Sequence, residues 1–403
     1  MVAIKFNPSR GPSLGVEWEL QLVDLNTRRL RQDAGEVLAA IRDLSESPRP
    51  KAMHELMQSQ IEIVTEVCAT AGEAVQDLAS SIERIRQVVE PRGTGLACTG
   101  THAISDWRDA VYAPVQRYTE LVEEMQWLAW RIQTFGVHVH VGVRERDKVV
   151  PIVNALAAYL PHFLALTASS PYWGGQDTGL ASSRAIVFGA LPTAGPPHLL
   201  ADWTEFEEYM DTLMRAGTIR SIKEVWWDIR PHPNFGTIEI RMFDGIPTLR
   251  EVGMVTALSQ CLVQQFDQQL DRGYKLPCPA AWVVRDNKWR ATRHGMDAAV
   301  ITDDRGRTAP VRDLLYELHR ELVPTAERLG CADELAVMAE VLEHGNSAER
   351  QRAIVDEGGA LEDVVDAALI ELAEDRFVTS GRRAATTTTT SNGPDGAVDH
   401  AGT

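Results

Sequence analysis

No apolar run in the 403 residues approaches the roughly 18 that a membrane-spanning helix needs. The stretch Val153–Leu160 stops at Pro161-His162. The opening Met1-Val2-Ala3-Ile4-Lys5-Phe6-Asn7-Pro8 also lacks the apolar core and small-residue cleavage site of a secretory leader. Basic charge is scarce, with 40 Lys and Arg against 57 Asp and Glu, a net charge of -17. That field repels nucleic acid and anionic lipid, and no Lys/Arg stripe interrupts it, so neither a nucleic-acid nor a membrane partner is expected. It repels an anionic small molecule too, so a site for one needs local arginines or metal ions. The five cysteines (Cys68, Cys98, Cys261, Cys278, Cys331) are scattered, without a Cys-x-x-Cys pair. They offer neither a zinc nor a disulfide framework and fit a reduced, cytoplasmic setting. Glycine-rich phosphate loops are missing as well: there is no Walker-type lysine loop and no GxGxxG after a strand.

What is present is a set of short segments with period two. They are Leu14–Leu22, Gln60–Thr65, Gly136–Gly142 and Thr237–Phe243. In each, apolar residues alternate with polar ones, as in a strand with one face on a core. The polar set is almost entirely Glu, His and Arg. Helical three- and four-residue spacing marks Ala71–Glu90, Val115–Gln133, Lys148–Ala168, Thr204–Arg215, Leu249–Leu270 and Val311–Leu329. Ser169–Pro197 reads as a long loop, and loops of that length in a compact domain are usually functional. Residues 1–377 show no repeat and no linker, which predicts one domain. Residues 378–403 hold a five-threonine run and little to bury, which predicts a disordered tail. Strands spaced irregularly by helices and loops predict an α+β domain, an antiparallel sheet with helices packed on one side.

The polar faces carry the chemistry. Glu17 and Glu19 stand at i and i+2 of a strand, on one face about 6.6–6.8 Å apart. Alone, such a pair is ordinary on a solvent-facing edge. Glu62 lies between Ile61 and Ile63, with Glu55 seven residues back; His138 and His140 lie between valines, with a glycine at each end. Two same-face histidines suit metal ligation, or one ligand and one hydrogen-bonding group. Glu239 and Arg241 repeat the spacing, as an ion pair or as a metal carboxylate beside an anion-holding guanidinium. If these faces share one sheet, five charges and two imidazoles meet in one cavity, which is untenable without divalent cations. Oxygen-rich ligation favours Mg²⁺ or Mn²⁺ over Zn²⁺. Several carboxylates, an imidazole and an arginine suit two or three such ions bridging nucleotide phosphates.

Several ordered motifs resemble the bacterial carboxylate–amine ligases of the type-2 glutamate–cysteine ligase family. They are Gly15-Val16-Glu17-Trp18-Glu19, Gly136–Gly142, Ser169-Ser170-Pro171-Tyr172-Trp173, Asp177-Thr178-Gly179 through Ser183-Arg184, and Trp227-Asp228-Ile229-Arg230-Pro231 through Glu239-Ile240-Arg241. The resemblance covers about residues 11–375. It implies a glutamine-synthetase-like catalytic domain, a funnel of curved antiparallel strands with helices outside, ATP entering one end and an amino-acid substrate the other. The implied reaction is ATP-dependent: a carboxylate, typically the glutamate γ-carboxylate, becomes an acyl phosphate, and an amine such as cysteine displaces phosphate. Carried over by motif, Glu17, His138 and Glu239 would hold the ion nearest the ATP phosphates. Glu19 and Glu62, with Glu55 as a third, would face the acceptor carboxylate. Arg241 would neutralise the transferring phosphoryl group, and Arg230 and Arg184 would hold substrate carboxylate or phosphate. His140 would touch substrate. The partners so implied are small molecules, and whether the chain pairs as a homodimer stays open.

Two alternatives remain at this point. A metal-dependent hydrolase of the barrel amidohydrolase type also uses a His-x-His strand, although it needs further metal ligands at later strand ends. A non-catalytic sensor on the same fold would bind a nucleotide or metabolite without turnover.

Overall fold

The computed structural model describes residues 4–44 and 51–379. The tail expected over 378–403 lies, from residue 380 onward, outside the described residues. Nine strands position the site: β1 (Leu14–Asp24), β2 (Ala52–His54), β3 (Gln60–Val64), β4 (Thr94–Ala97), β5 (Gly136–Gly142), β6 (Tyr172–Trp173), β7 (Gln176–Asp177), β8 (Ile229–His232) and β9 (Thr237–Asp244). Seven of them form one antiparallel sheet in the order β2-β3-β1-β5-β9-β8, with β4 also paired to β1. The period-two text sets the faces. Val16, Trp18, Leu20, Ile61, Ile63, Val137, Val139, Ile238 and Ile240 point into the main core and are essentially inaccessible. Each such large side chain contributes about 1.5–3 kcal/mol by leaving water.

Helices cover that apolar face. Leu249–Asp271 packs on β5 and on the helix Ala71–Val89, and Leu160–Thr167 packs on β9. Their starts are capped as short polar residues allow: Thr70 accepts from the Glu73 amide and Thr248 from the Glu251 amide, both at 3.2 Å. The α+β architecture expected from the sequence is therefore present, with an open sheet.

Several element boundaries differ from expectation. The helix expected over Val115–Gln133 is two pieces, Gln116–Met125 and Trp127–Trp130, because Gln126 takes φ +50°. The one expected over Lys148–Ala168 is Arg146–Leu156 and Leu160–Thr167, joined by a 3₁₀ turn at Ala157–Tyr159. Together, Arg146–Thr167 is apolar and long enough to cross a membrane at 22 residues, contrary to the reading of apolar runs alone. Of its most apolar stretch, 78% is nevertheless buried within the protein, which is why it is apolar. The expected loop Ser169–Pro197 holds the β6–β7 hairpin and a helix, Ser183–Gly189, whose first turn is capped by Ser182.

Candidate active site

Register brings the polar faces together. Glu17 is opposite His138, Glu19 opposite Glu62, and Glu239 opposite both His140 and Arg230. Directly opposed residues share a face. The β5–β9 ladder slips once: Val137 pairs with Phe243 and Val139 with Ile240, so β9 carries one extra residue opposite His138. This bulge falls at Arg241-Met242 and re-aims Arg241. All ten residues singled out from sequence line one cavity of 1290 Å³ above the sheet.

Three groups of potential ligand atoms lie within 4.8 Å of one another: Glu17, His140 and Glu239; Glu17, Glu62 and His138; and Glu19, Glu55 and Glu62. The last is the acidic trio expected from the family motifs. The first differs in its histidine, since His140 joins Glu17 and Glu239 while His138 sits between Glu17 and Glu62. Parity along β5 could not separate the two histidines; the cross-strand register does.

The electrostatics divide the floor. Glu239, fully buried, accepts from Arg230 Nε at 2.7 Å and Nη2 at 3.3 Å, and also from Arg241. Burial pushes its carboxyl up, but the charges of Arg241 and Arg230 hold it far below the usual range. Burial raises the Glu17 carboxyl, but the hydrogen bond with His138 and the adjacent His140 imidazole hold it well below that range. Its contacts are His138 Nδ1 at 2.9 Å and His140 Nε2 at 3.3 Å. The acidic trio behaves oppositely. Burial, then repulsion by Glu55, pushes Glu19 up to about 8. Burial and repulsion by Glu17, Glu55 and Glu19 raise Glu62 well above the usual range, and burial raises Glu55. Burial, then the Arg241 charge, lowers His138 to about 4, so its ring is neutral and able to ligate.

The residues fit divalent cations. His140 Nε2 is buried without a hydrogen-bond partner while lying 3.3 Å from Glu17 Oε1 and 3.9 Å from Glu239 Oε1. Its Nδ1 is fixed 3.0 Å from Thr237 Oγ1, the usual way to aim the other nitrogen at a metal. The crowded carboxylates supply hard oxygen donors, which suits Mg²⁺ or Mn²⁺.

Arg184 reaches the floor from the first turn of the helix Ser183–Gly189, at the end of the loop that starts at Ser169. Asp244 at the end of β9 accepts from the Ser169 amide at 3.0 Å, Ser170 Oγ at 2.7 Å and Ser182 Oγ at 2.8 Å, pinning that loop. The Arg184 guanidinium lies where a Cβ at Gly136 would stand, leaving its Nε buried and unpaired. Sequence reasoning missed His232 and Phe235, which stack at 4.2 Å beside His140. The parity of Arg230 and His232 on β8 was the available signal for the first. It also missed Arg117 and Tyr118, which line the cavity from a helix read only by its apolar spacing.

With this geometry in view, comparison decides the family. The profile of glutamate-cysteine ligase family 2 matches residues 13–367. The chain belongs to glutamate–cysteine ligase family 2. A Thermobifida fusca protein provisionally named glutamate–cysteine ligase 2 is 67% identical over 371 residues, covering 92% of this chain and 93% of the relative. A Frankia alni protein, provisionally named glutamate–cysteine ligase 2-1, is 54% identical over 94% of this chain and all of its own length. Among solved structures, a glutamate–cysteine ligase from Francisella tularensis in complex with AMP superposes with a TM-score of 0.66 at 11% identity, over 90% of this chain and 89% of its own. A bifunctional glutathione synthetase from Pasteurella multocida gives 0.61 at 14% identity, over 90% of this chain and 52% of its own. At such identities the likeness is one of fold alone. As a member of glutamate–cysteine ligase family 2 the chain is an enzyme of the ligase class, a carboxylate–amine ligase by family.

Proposed function

We propose that this one domain, residues 1–377, joins a carboxylate to an amine at the expense of ATP, with glutamate as the carboxylate and Mg²⁺ or Mn²⁺ as cofactor. The observation that carries the reading is the overlap of three ligand groups on one floor, with Arg230 and Arg241 at one side. Nucleotide binding by the Francisella structure, solved with AMP, agrees with it. A γ-carboxylate oxygen attacks the γ-phosphorus of ATP, ADP leaves, and an acyl phosphate forms. An amine nitrogen then bonds to the acyl carbon and phosphate departs with the electron pair.

In this reading Glu17, Glu239 and His140 hold the cation at the arginine side, His138 links Glu17 to Glu62, and Glu19, Glu55 and Glu62 hold the cation on the other side. A bound divalent cation supplies charge neutralisation for phosphate and carboxylate oxygens. Arg241, with its Nε unpaired, stabilises the charge on the transferring phosphoryl group, and Arg230 keeps Glu239 ionised. Arg184 is placed for a substrate carboxylate or phosphate. Little covalent chemistry falls to the protein, and positioning does most of the work.

The test is ADP release with Mg²⁺-ATP and L-glutamate across a panel of amines, with the amide product identified by mass spectrometry. Release that depends on amine, and that drops at least ~100-fold in Glu239→Ala or Glu19→Ala, is the expected result. Full Mg²⁺-dependent turnover in those variants would discard the ligand assignment. Turnover without nucleotide would mark a hydrolase instead.

A further inference from the structure

The cavity is charged unequally along its length. Arg230, Arg241 and Lys223 line it beside β8 and β9, partly offset by Glu224 and Glu239, whereas Glu19, Glu55, Glu62, Glu66, Glu120 and Glu124 line the side of β1, β2, β3 and the helix Gln116–Met125, against Arg117. With a divalent cation on the trio, the second region still carries a carboxylate surplus through Glu66, Glu120 and Glu124, which repels a polyphosphate and draws an ammonium group. The amine therefore enters on the acidic side, and what surrounds that side selects it.

The wall there is an apolar patch bordered by Arg117, Glu120 and Glu124. Met53, Leu56, Leu121, Met125, Leu128 and Ile132 all line the cavity. Met53 is the register partner of Glu62, so it shares the face of the acidic trio, and it is 45% exposed. The wall is also firmly held. Leu56, Met57, Tyr118, Val122 and Ala129 form a small hydrophobic cluster of their own, against which Leu121, Met125 and Ile132 pack. Tyr118 Oη donates to the His54 carbonyl at 2.9 Å, and the Ala113 amide donates to the Leu56 carbonyl at 2.8 Å. The volume of 1290 Å³ exceeds the roughly 300–1,000 Å³ of an ordinary small-molecule site, leaving room for a third sizeable reactant. A small thiol-bearing side chain such as that of cysteine would leave this wall in water.

We propose that the acceptor is a primary amine bearing a sizeable apolar substituent, aliphatic or aromatic, seated against this wall, and that Met53 and Leu121 set the preference. The proposal rests on the ligase reading above. The ammonium group first gives up one proton to solvent, the free amine nitrogen bonds to the acyl carbon, the carbon–oxygen bond to phosphate breaks, and the second proton leaves with phosphate as hydrogen phosphate. Arg117 stands on the same rim, 2.9 Å from Tyr118 Oη, within reach of a carboxylate if the amine is an amino acid.

The experiment measures ADP release and amide product by the full chain with Mg²⁺-ATP and L-glutamate. The acceptors are L-cysteine, L-leucine, L-phenylalanine, isopentylamine and phenethylamine. An apolar acceptor should exceed cysteine in kcat/KM by at least ~10-fold, the scale on which apolar pockets discriminate. Met53→Ser and Leu121→Ala should each raise KM for that acceptor by about 10-fold while leaving KM for ATP unchanged, a split that general loosening would not give. Met53 is exposed enough for its variant to keep the fold, which a thermal melt checks. Preference for cysteine, or an unchanged acceptor KM in both variants, overturns the proposal and leaves the ligase reading standing. Absence of ADP release with every acceptor overturns both.

Discussion

Glu19 illustrates how one carboxyl is made to depend on a cation. Its side chain is buried, its Oε2 accepts from the Gly136 amide at 2.5 Å, and Glu55 and Glu62 crowd it. Its folded pKa, about 8, lies above the ordinary 4.5, so between those values the folded chain holds a proton that the unfolded chain has lost. Without metal, stability therefore falls as pH rises through that window. The buried histidines oppose this at lower pH. His138, His162 and His232 are all depressed from 6.5 to about 4, so their contribution grows as pH rises towards 6.5 and is complete above it. Above pH 6.5 only the carboxyl trend remains, so the chelated protein should lose stability from there to pH 8. Mg²⁺ should reverse that decline, raising the melting temperature more at pH 8 than at pH 6.5, because binding to the trio displaces its protons. Thermal melts with EDTA and with Mg²⁺ at four pH values check this; an apo stability flat between pH 6.5 and 8 would count against a carboxyl titrating there.

At the scale of elements, β5 is where positions matter most. Gly136 leaves room for the Arg184 guanidinium, while its amide holds Glu19. Gly136→Ala should push Arg184 off the floor without unfolding the chain, because the clashing group is the far end of a flexible side chain. The expected outcome is a loss of up to ~100-fold in kcat/KM with little change in melting temperature, as small misplacements near a reacting centre cost. Unchanged kinetics would remove Arg184 from the site. The same strand shows what the sequence could and could not reveal. Period-two alternation identified β1, β3, β5 and β9 and placed Glu17, Glu19, Glu62, His138, His140, Glu239 and Arg241 on polar faces, because one buried face forces that pattern. The partition of ligands into groups depends on cross-strand register and on the bulge at Arg241-Met242, which no single strand encodes. The helices Ala34–Arg42, Ala281–His294, Ala332–His344, Ser347–Asp356 and Leu361–Glu374 went unread. Ala281–His294 shows why: it leaves Trp282 and Trp289 exposed, which blurs its apolar stripe. The gap at Gln126, a non-glycine residue at positive φ, had no local signal at all.

Over the whole molecule, the C-terminal helices secure the site from behind. Leu361–Glu374 joins β1 and β4 through Val364, Val365 and Ala368 packed with Val23 and Ala97. Ser347–Asp356 is tied to the loop that delivers Arg184: the Ala348 amide donates to the Ala168 carbonyl at 2.8 Å and Gln351 Nε2 to the Ser169 carbonyl at 2.8 Å. Both helices converge on Arg350, buried between Glu251 at 3.0 Å and Glu371 at 2.8 Å, with its guanidinium over the Phe377 ring. Removing the cation alone strands two carboxylates in the interior. Arg350→Met should therefore cost about 3–5 kcal/mol of unfolding free energy, whereas changing Glu251 and Glu371 to leucine as well should recover most of it, since the desolvation penalty disappears with the charges. Because the same helix anchors Ser169, the single variant should also lose activity below its melting temperature, through a slackened Arg184 loop. Denaturant unfolding with parallel kinetics separates the effects. A triple variant as unstable as the single one would mean that the triad's geometry, and not its charge balance, holds the helices in place.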